Sequence, residues 1–492
     1  MKIAFFNKNQ YLIIFFYFFF SLIGLLKYEG SIKALIFYDL ALLAIALVSA
    51  SKRAFFFDIL ISFYLTMGFF LKFNISTFMG GIYYDTLFIG PIKSTSASDM
   101  ALIVSSVSFL AVLIAHSFFH FFFNRKSSNN LLNLDFTYIF YRKYRKIILF
   151  FLVVLISFAN YTNYYFEIYT KGGINTYNFF IVNLYKYFIP IGFIFFILYL
   201  LQIELYKKNK FPWLYIGLIF FENTLSSISQ ISRAMIITSS SILLGIYKHS
   251  KINNLKLDLK FILLYSTIFF LLFSFSFYVV TDIRNEKFMN VKLNIQPSIT
   301  QPPIIHSYEN VYGERTNLEK ILSNHIKPML IDRWVGIDGV IAVCSSSKLG
   351  WNLFLLSLKE KSTKGLSFYD SNFINSPYAD TDFEKKQFVT LPGFIAYFFY
   401  PGSFLFLFFA ILFLSLIGFF IELYSLYLTS FNYIIASFVS NLFVYRFINF
   451  GYMPLNTIQY IFIILMTLLF YYFFLNYLSN KLSKISFSRN RL

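Results

Sequence analysis

The chain has 492 residues, of which 58% are hydrophobic and only 13% charged, with a mean hydropathy of +0.64. A soluble domain carries about 25% charged residues, so this composition excludes an ordinary soluble enzyme and points to an integral membrane protein. The formal net charge of +19 would suggest nucleic acid in a soluble chain. Here the basic residues have a better account as topology signals, and no nucleic-acid partner is expected.

The single cysteine, Cys344, excludes an intrachain disulfide and a cysteine-based metal cluster. The 70 Phe and 38 Tyr beside few Gly, Pro and Trp fit an AT-rich codon usage better than an aromatic binding function. Met1 to Leu26 is basic and then apolar without a small-residue cleavage site, which predicts a retained first span.

A spanning helix needs about 20 mostly apolar residues. On that criterion the chain predicts twelve spans, near 10–26, 33–50, 54–72, 99–123, 147–166, 184–203, 211–228, 234–247, 261–281, 402–428, 429–447 and 454–476. The pair around 211–247 is short enough to be tilted or re-entrant. The expected fold class is therefore an all-α integral membrane protein. Its expected parts are an N-terminal bundle over 1–281, a large external loop over 282–390 and a C-terminal bundle over 391–492.

Lys and Arg in short loops orient such a bundle, because they are retained on the cytoplasmic side. Lys2, Lys8, Lys52, Arg53, the cluster Arg125 to Lys146, Lys207 to Lys210, Lys248 to Lys260 and Lys481 to Arg491 all fall on one side. Both termini are expected there. The loop Asp282–Thr390 is then external, with 13 Lys/Arg against 12 Asp/Glu, so it is close to neutral. Periodicity from Asn317 to Lys359 predicts amphipathic helices capping the outer bilayer surface. Leu391 to Tyr400 is apolar but too short to span before Pro401-Gly402, and is read as re-entrant.

Charged residues at span ends are expensive and mark candidate functional positions. Arg233 follows Ser226, Ser227, Ser229 and Ser232 at an outer turn; Arg284 lies past the ninth span. Arg446 sits near the outer end of the eleventh, and Arg333 lies inside the loop. Each alone can be a snorkelling residue or the partner of one carboxylate. Together they suit a phosphate or pyrophosphate ligand, because guanidinium binds phosphate bidentately and stays charged.

Asp338 is the carboxylate singled out in Asp332-Arg333-Trp334-Val335-Gly336-Ile337-Asp338-Gly339. Asp332 reads as a helix cap, whereas Asp338 is placed as a candidate general base for a hydroxyl, with pairing to an arginine as the structural alternative. On one continuous helix Arg333 and Asp338 lie roughly 140° apart, so they share a face only if the helix begins near Gly336. Gly336 and Gly339 suit close approach of another helix or a ligand. His116 and His120 have metal-ligand spacing, but with no third ligand in sight they are read as an interfacial pair. His306 and His325 are further possible bases in the loop. No metal or other cofactor is expected.

The layout resembles the bacterial O-antigen (Wzy-type), or oligosaccharide repeat-unit, polymerases. The resemblance rests on the turn ending in Ser232-Arg233, the large late external loop and Gly393 followed by Pro401-Gly402. It also rests on Arg333-Trp334-Val335-Gly336-Ile337-Asp338-Gly339, similar to an Arg-x-x-Gly-x-Glu pattern but with Asp where Glu is common. It implies a metal-independent, GT-C-like glycosyltransferase of the bacterial inner membrane. Its substrates would be undecaprenyl-pyrophosphate-linked glycans, and a chain-length regulator protein is a possible partner. An O-antigen ligase and a lipid-linked oligosaccharide flippase are the competing readings; a flippase is expected to bury charges within the membrane and to show two related halves.

Overall fold

The computed structural model describes residues 8–51, 54–79, 95–123, 135–170, 177–205, 213–232, 235–252, 259–293, 331, 334–361, 365–374 and 387–489. Each of the twelve apolar stretches contains a helix among the described residues. They form α1 (Lys8–Leu25), α2 (Ile32–Ser49), α3 (Phe56–Leu65) running into α4 (Lys72–Phe78), and α5 (Thr95–Phe122). Next come α6 (Asp135–Phe166), α7 (Phe179–Tyr187) running into α8 (Phe193–Leu205), α9 (Trp213–Ser229), α10 (Met235–Ile252) and α11 (Leu259–Leu293). Short helices follow: α12 (Ile337–Cys344), α13 (Trp351–Leu358), α14 (Phe368–Phe373) and α15 (Phe394–Phe398). The chain then enters α16 (Phe404–Leu428), α17 (Tyr433–Ile448) and α18 (Pro454–Arg489). Among the described residues seven helices are long and apolar enough to cross a membrane, and three shorter apolar helices accompany them. The protein is a helical, multi-pass membrane protein.

Two spans change pitch along their length. Thr66–Leu71 is a π-helical turn between α3 and α4, where Thr66 Oγ1 donates to Ser62 O at 2.7 Å. That bond competes for a backbone acceptor and loosens the α-helical ladder. Phe188–Gly192 is a second π turn, between α7 and α8, around Pro190. Proline supplies no N–H, so the helix must widen there to keep its remaining backbone bonds.

The helices belong to two compact units that cut across the three sequence segments. One unit comprises 1–125, 298–420 and 442–461, and the other 126–297, 421–441 and 462–492. In the first, α2 packs on α1, α3 and α5, while α12 packs on α5 and α15. In the second, α9 is central, flanked by α6, α8, α10 and α11. Gln202 there donates to Thr429 O at 3.3 Å and accepts from Tyr471.

Two expectations for the polar loop are corrected. Helix α11 continues past Asp282 to Leu293, because no proline or glycine interrupts the chain before Pro297. The segment at Ile337 is not an amphipathic surface cap: every residue from Ile337 to Val343 is buried. Its sequence, Ile-Asp-Gly-Val-Ile-Ala-Val-Cys, is apolar all round apart from Asp338, whose charge is met by Lys72, and such a helix lowers its free energy inside a protein rather than on a headgroup surface. Residues 317–330 of the expected cap lie outside the described residues. The short helix α15 is likewise buried at Phe394 to Tyr397. Burial in protein is what allows irregular backbone in an apolar chain. A single strand pair joins this region among the described residues, with Gly365 opposite Gln387 and Leu366 opposite Phe388 in parallel.

Candidate functional site

The first unit contains an ion pair buried almost completely. Lys72 Nζ lies 2.6 Å from Asp338 Oδ2, with the two side chains 3% and 2% exposed. Lys72 is the first residue after the π turn, and Asp338 occupies the first turn of α12. A carboxylate there also meets the positive end of the helix. The same ammonium donates to Trp334 O at 2.9 Å. Neither oxygen of Asp338 has a directed hydrogen bond among the described residues, so charge holds the pair. Isolated, either charge would be prohibitively costly in this apolar setting; paired, they hold two distant chain segments together.

Glycine makes the approach possible. A methyl group on Gly336 would sit 1.8 Å from Gly68 O, and one on Gly68 would sit 2.2 Å from Val335 O. Across α12, a methyl on Gly339 would meet Pro392 O at 2.1 Å. The segment Trp334–Gly339 therefore runs backbone-to-backbone between the π turn and the chain leading into α15. The close approach expected of these two glycines is realised by protein backbone.

From this anchor an aromatic row extends. The Trp334 ring lies 5.7 Å from Phe63 and 5.9 Å from Tyr64, and Tyr64 lies 6.2 Å from Tyr445. Next in sequence, Arg446 places its guanidinium 4.3 Å from the centre of the Tyr460 ring. This cation–π contact is a different partner from the headgroup or carboxylate expected for it. Arg446 is half-buried, so an aromatic face and a fixed positive charge lie together at the end of α17.

Asp338 sits as the buried partner of Lys72, with its side chain 2% exposed. Its position suits holding Trp334 in place better than abstracting a proton, which needs direct reach to the acceptor. Helix α12 does begin at Ile337, immediately after Gly336. Arg333 and Asp332 lie outside the described residues, as do Arg233, His306 and His325. Arg284 lies within α11 without a described side chain. Lys72 was missed because the sequence survey weighed arginines at span ends. A lone lysine within an apolar stretch was the signal that could have found it.

In the second unit the serine-rich turn preceding Arg233 is buried and polar. Asn163 Nδ2 donates to Ser229 O at 2.9 Å and to Tyr169 O at 3.0 Å, and Ser229 Oγ donates to Asn160 Oδ1 at 2.6 Å. Two residues past the end of α9, Ile231 has φ +53°, and Ser232 N bonds back to Ser227 O at 2.8 Å. A β-branched residue in the left-handed region is strained, and the surrounding bonds hold it there.

The loop contributes one further acidic cluster to the first unit. Glu360 accepts from Phe368 N at 2.7 Å and Met453 N at 3.0 Å, while Asp370 accepts from Thr390 N at 3.0 Å. Burial raises the pKa of both, and each is counteracted by backbone hydrogen bonds; Asp370 further raises that of Glu360. A raised acid pKa means that the folded state retains protons the unfolded chain releases. This contribution to stability is fully present below the ordinary carboxylate range and is lost as pH rises through the raised values. Asp370→Asn is expected to flatten the fall in melting temperature between pH 4.5 and pH 7. An unchanged slope in thermal unfolding would show that Asp370 is not the titrating group.

Compared with protein-family models, curated proteins and solved structures, the chain matches none of them.

Proposed function

We propose that the protein is a metal-independent membrane glycosyltransferase that polymerises undecaprenyl-pyrophosphate-linked repeat units into an O-antigen or capsule-like polysaccharide. On this reading it lies in the bacterial inner membrane with both termini cytoplasmic and 282–390 facing outward. The observation that carries it is the row Trp334, Tyr64, Tyr445 and Arg446, anchored on the Lys72–Asp338 pair within an apolar bundle. Aromatic faces suit sugar rings, and fixed guanidinium groups suit pyrophosphate. The acceptor hydroxyl attacks the anomeric carbon of the donor glycan and loses its proton to a base, and undecaprenyl pyrophosphate departs. Arg333 and Arg446 of the first unit hold the leaving group in this scheme, Arg233 and Arg284 being further candidates for it, and Asp338 positions the Arg333–Trp334 segment.

Arg333→Ala is expected to abolish long glycan chains in cells while the protein still inserts. Unchanged chain-length ladders after simultaneous substitution of Arg233, Arg333 and Arg446 would overturn the pyrophosphate role. One observation favours a second reading, a lipid-linked oligosaccharide flippase: the charges of Lys72 and Asp338 are buried within the bundle, as transport pathways require. A deletion strain separates the two. One repeat unit on lipid A indicates a polymerase, and none indicates a flippase or a ligase.

A further inference from the structure

Asp58, His116 and His120 converge at the end of the first unit remote from Lys72. The histidines are one helical turn apart on α5, and Asp58 stands in the first turn of α3. His116 Nδ1 lies 2.9 Å from Asp58 Oδ1, and His120 Nε2 lies 3.5 Å from Asp58 Oδ2. All three ligand atoms fall within 4.8 Å of one another. Along the helix from Asp58, Lys72 is about 20 Å away at 1.5 Å rise per residue, so this cluster is separate from the site above.

Asp58 meets both imidazoles, the second at a longer distance than the first. Asp58 is 4% exposed, and its oxygens already receive Phe55 N–H at 2.9 Å and His116 at 2.9 Å. His120 stands at the outer limit of a hydrogen bond, with its ring centre only 4.0 Å from that of His116. Ligands at about 2.1 Å from a tetrahedral ion are about 3.4 Å apart, within the spread of these separations. The Phe55 N–H orients the carboxylate, as groups behind a metal ligand do. Phe55, 4.9 Å from His120, and Phe419, 6.3 Å from His116, wall the cluster with apolar rings. The histidines remain 15% and 20% exposed, which leaves an approach for the ion and for a water completing its shell.

We infer that Asp58, His116 and His120 form a binding site for a divalent transition-metal ion such as Zn²⁺, clamping α3 to α5. Two imidazoles and one carboxylate are a donor set for borderline ions, not for Mg²⁺ or Ca²⁺. The ion links two helices distant in sequence and stands apart from the glycosyl-transfer chemistry proposed above. It is therefore independent of that reading.

The test uses the full-length protein, purified without a polyhistidine tag, stripped with chelator and titrated with Zn²⁺ and, separately, Co²⁺. The expected result is about one ion per chain retained through gel filtration. It includes visible Co²⁺ bands of a nitrogen-ligated, low-coordinate site and a rise in melting temperature with Zn²⁺. His116→Ala and His120→Ala should each weaken binding at least tenfold, and the double variant should lose the bands and the thermal shift. Asp58→Asn retains an oxygen for Phe55 N–H and tests the carboxylate without removing the helix cap. Absence of a saturable ion in monodisperse wild-type protein would overturn the inference. So would wild-type affinity in the double variant, since the ion would then sit elsewhere.

Discussion

Asp338→Ala is expected to destabilise the protein by about 3–5 kcal/mol, because it leaves the Lys72 ammonium buried without its counter-charge. Lys72→Ala should cost a similar amount for the mirror-image reason, adding the loss of its bond to Trp334 O. The measurement is thermal survival in detergent, read by gel filtration of the folded fraction. The double variant Lys72→Met, Asp338→Asn removes both charges and keeps the volumes, so it should recover much of the loss. If the double variant folds but the glycan ladder stays absent, the pair also serves the activity. If each single variant melts like wild type, the pair does not hold Trp334–Gly339 against the π turn.

Gly336→Ala tests the same junction from the steric side. The added methyl would stand 1.8 Å from Gly68 O, 2.3 Å from its carbonyl carbon and 2.8 Å from its Cα. These are backbone atoms of a packed helix and have no rotamer to change. A cost of about 3 kcal/mol or more is expected, at the upper end of overpacking effects. Gly68→Ala should behave alike, because its methyl would meet Val335 O at 2.2 Å. Gly217→Ala, with nothing within 4 Å, is the control and should leave the melting temperature nearly unchanged. Equal melting for Gly336→Ala and Gly217→Ala would mean that the two backbones do not pack this closely.

The spans were legible because each is a local property. Twenty apolar residues exclude water wherever they lie, and Phe404–Leu428 or Ile32–Ser49 needs no distant partner to be recognised. Helix α12 was misread for the same reason. Its composition shows an apolar segment but not what covers it, and only α5 and α15 packed around it exclude a place on the bilayer surface. Asp338 could be singled out from sequence as a carboxylate among apolar residues, yet its partner is Lys72, far back in the chain. The histidine pair shows the same limit. The i,i+4 spacing was visible, but Asp58 lies outside any local window and comes beside the pair only through the packed helices of one unit.

By itself the sequence determined that this is a helical, multi-pass membrane protein and where its long apolar helices run. Those properties follow from composition and short-range periodicity, which do not depend on the rest of the fold. Only the tertiary structure decided that Lys72 neutralises Asp338, that Gly336 rests on Gly68, and that Asp58 stands beside His116 and His120. Charge pairing, steric contact and hydrogen bonding act over a few ångströms of space. Residues hundreds of positions apart come within that range only once the helices have packed.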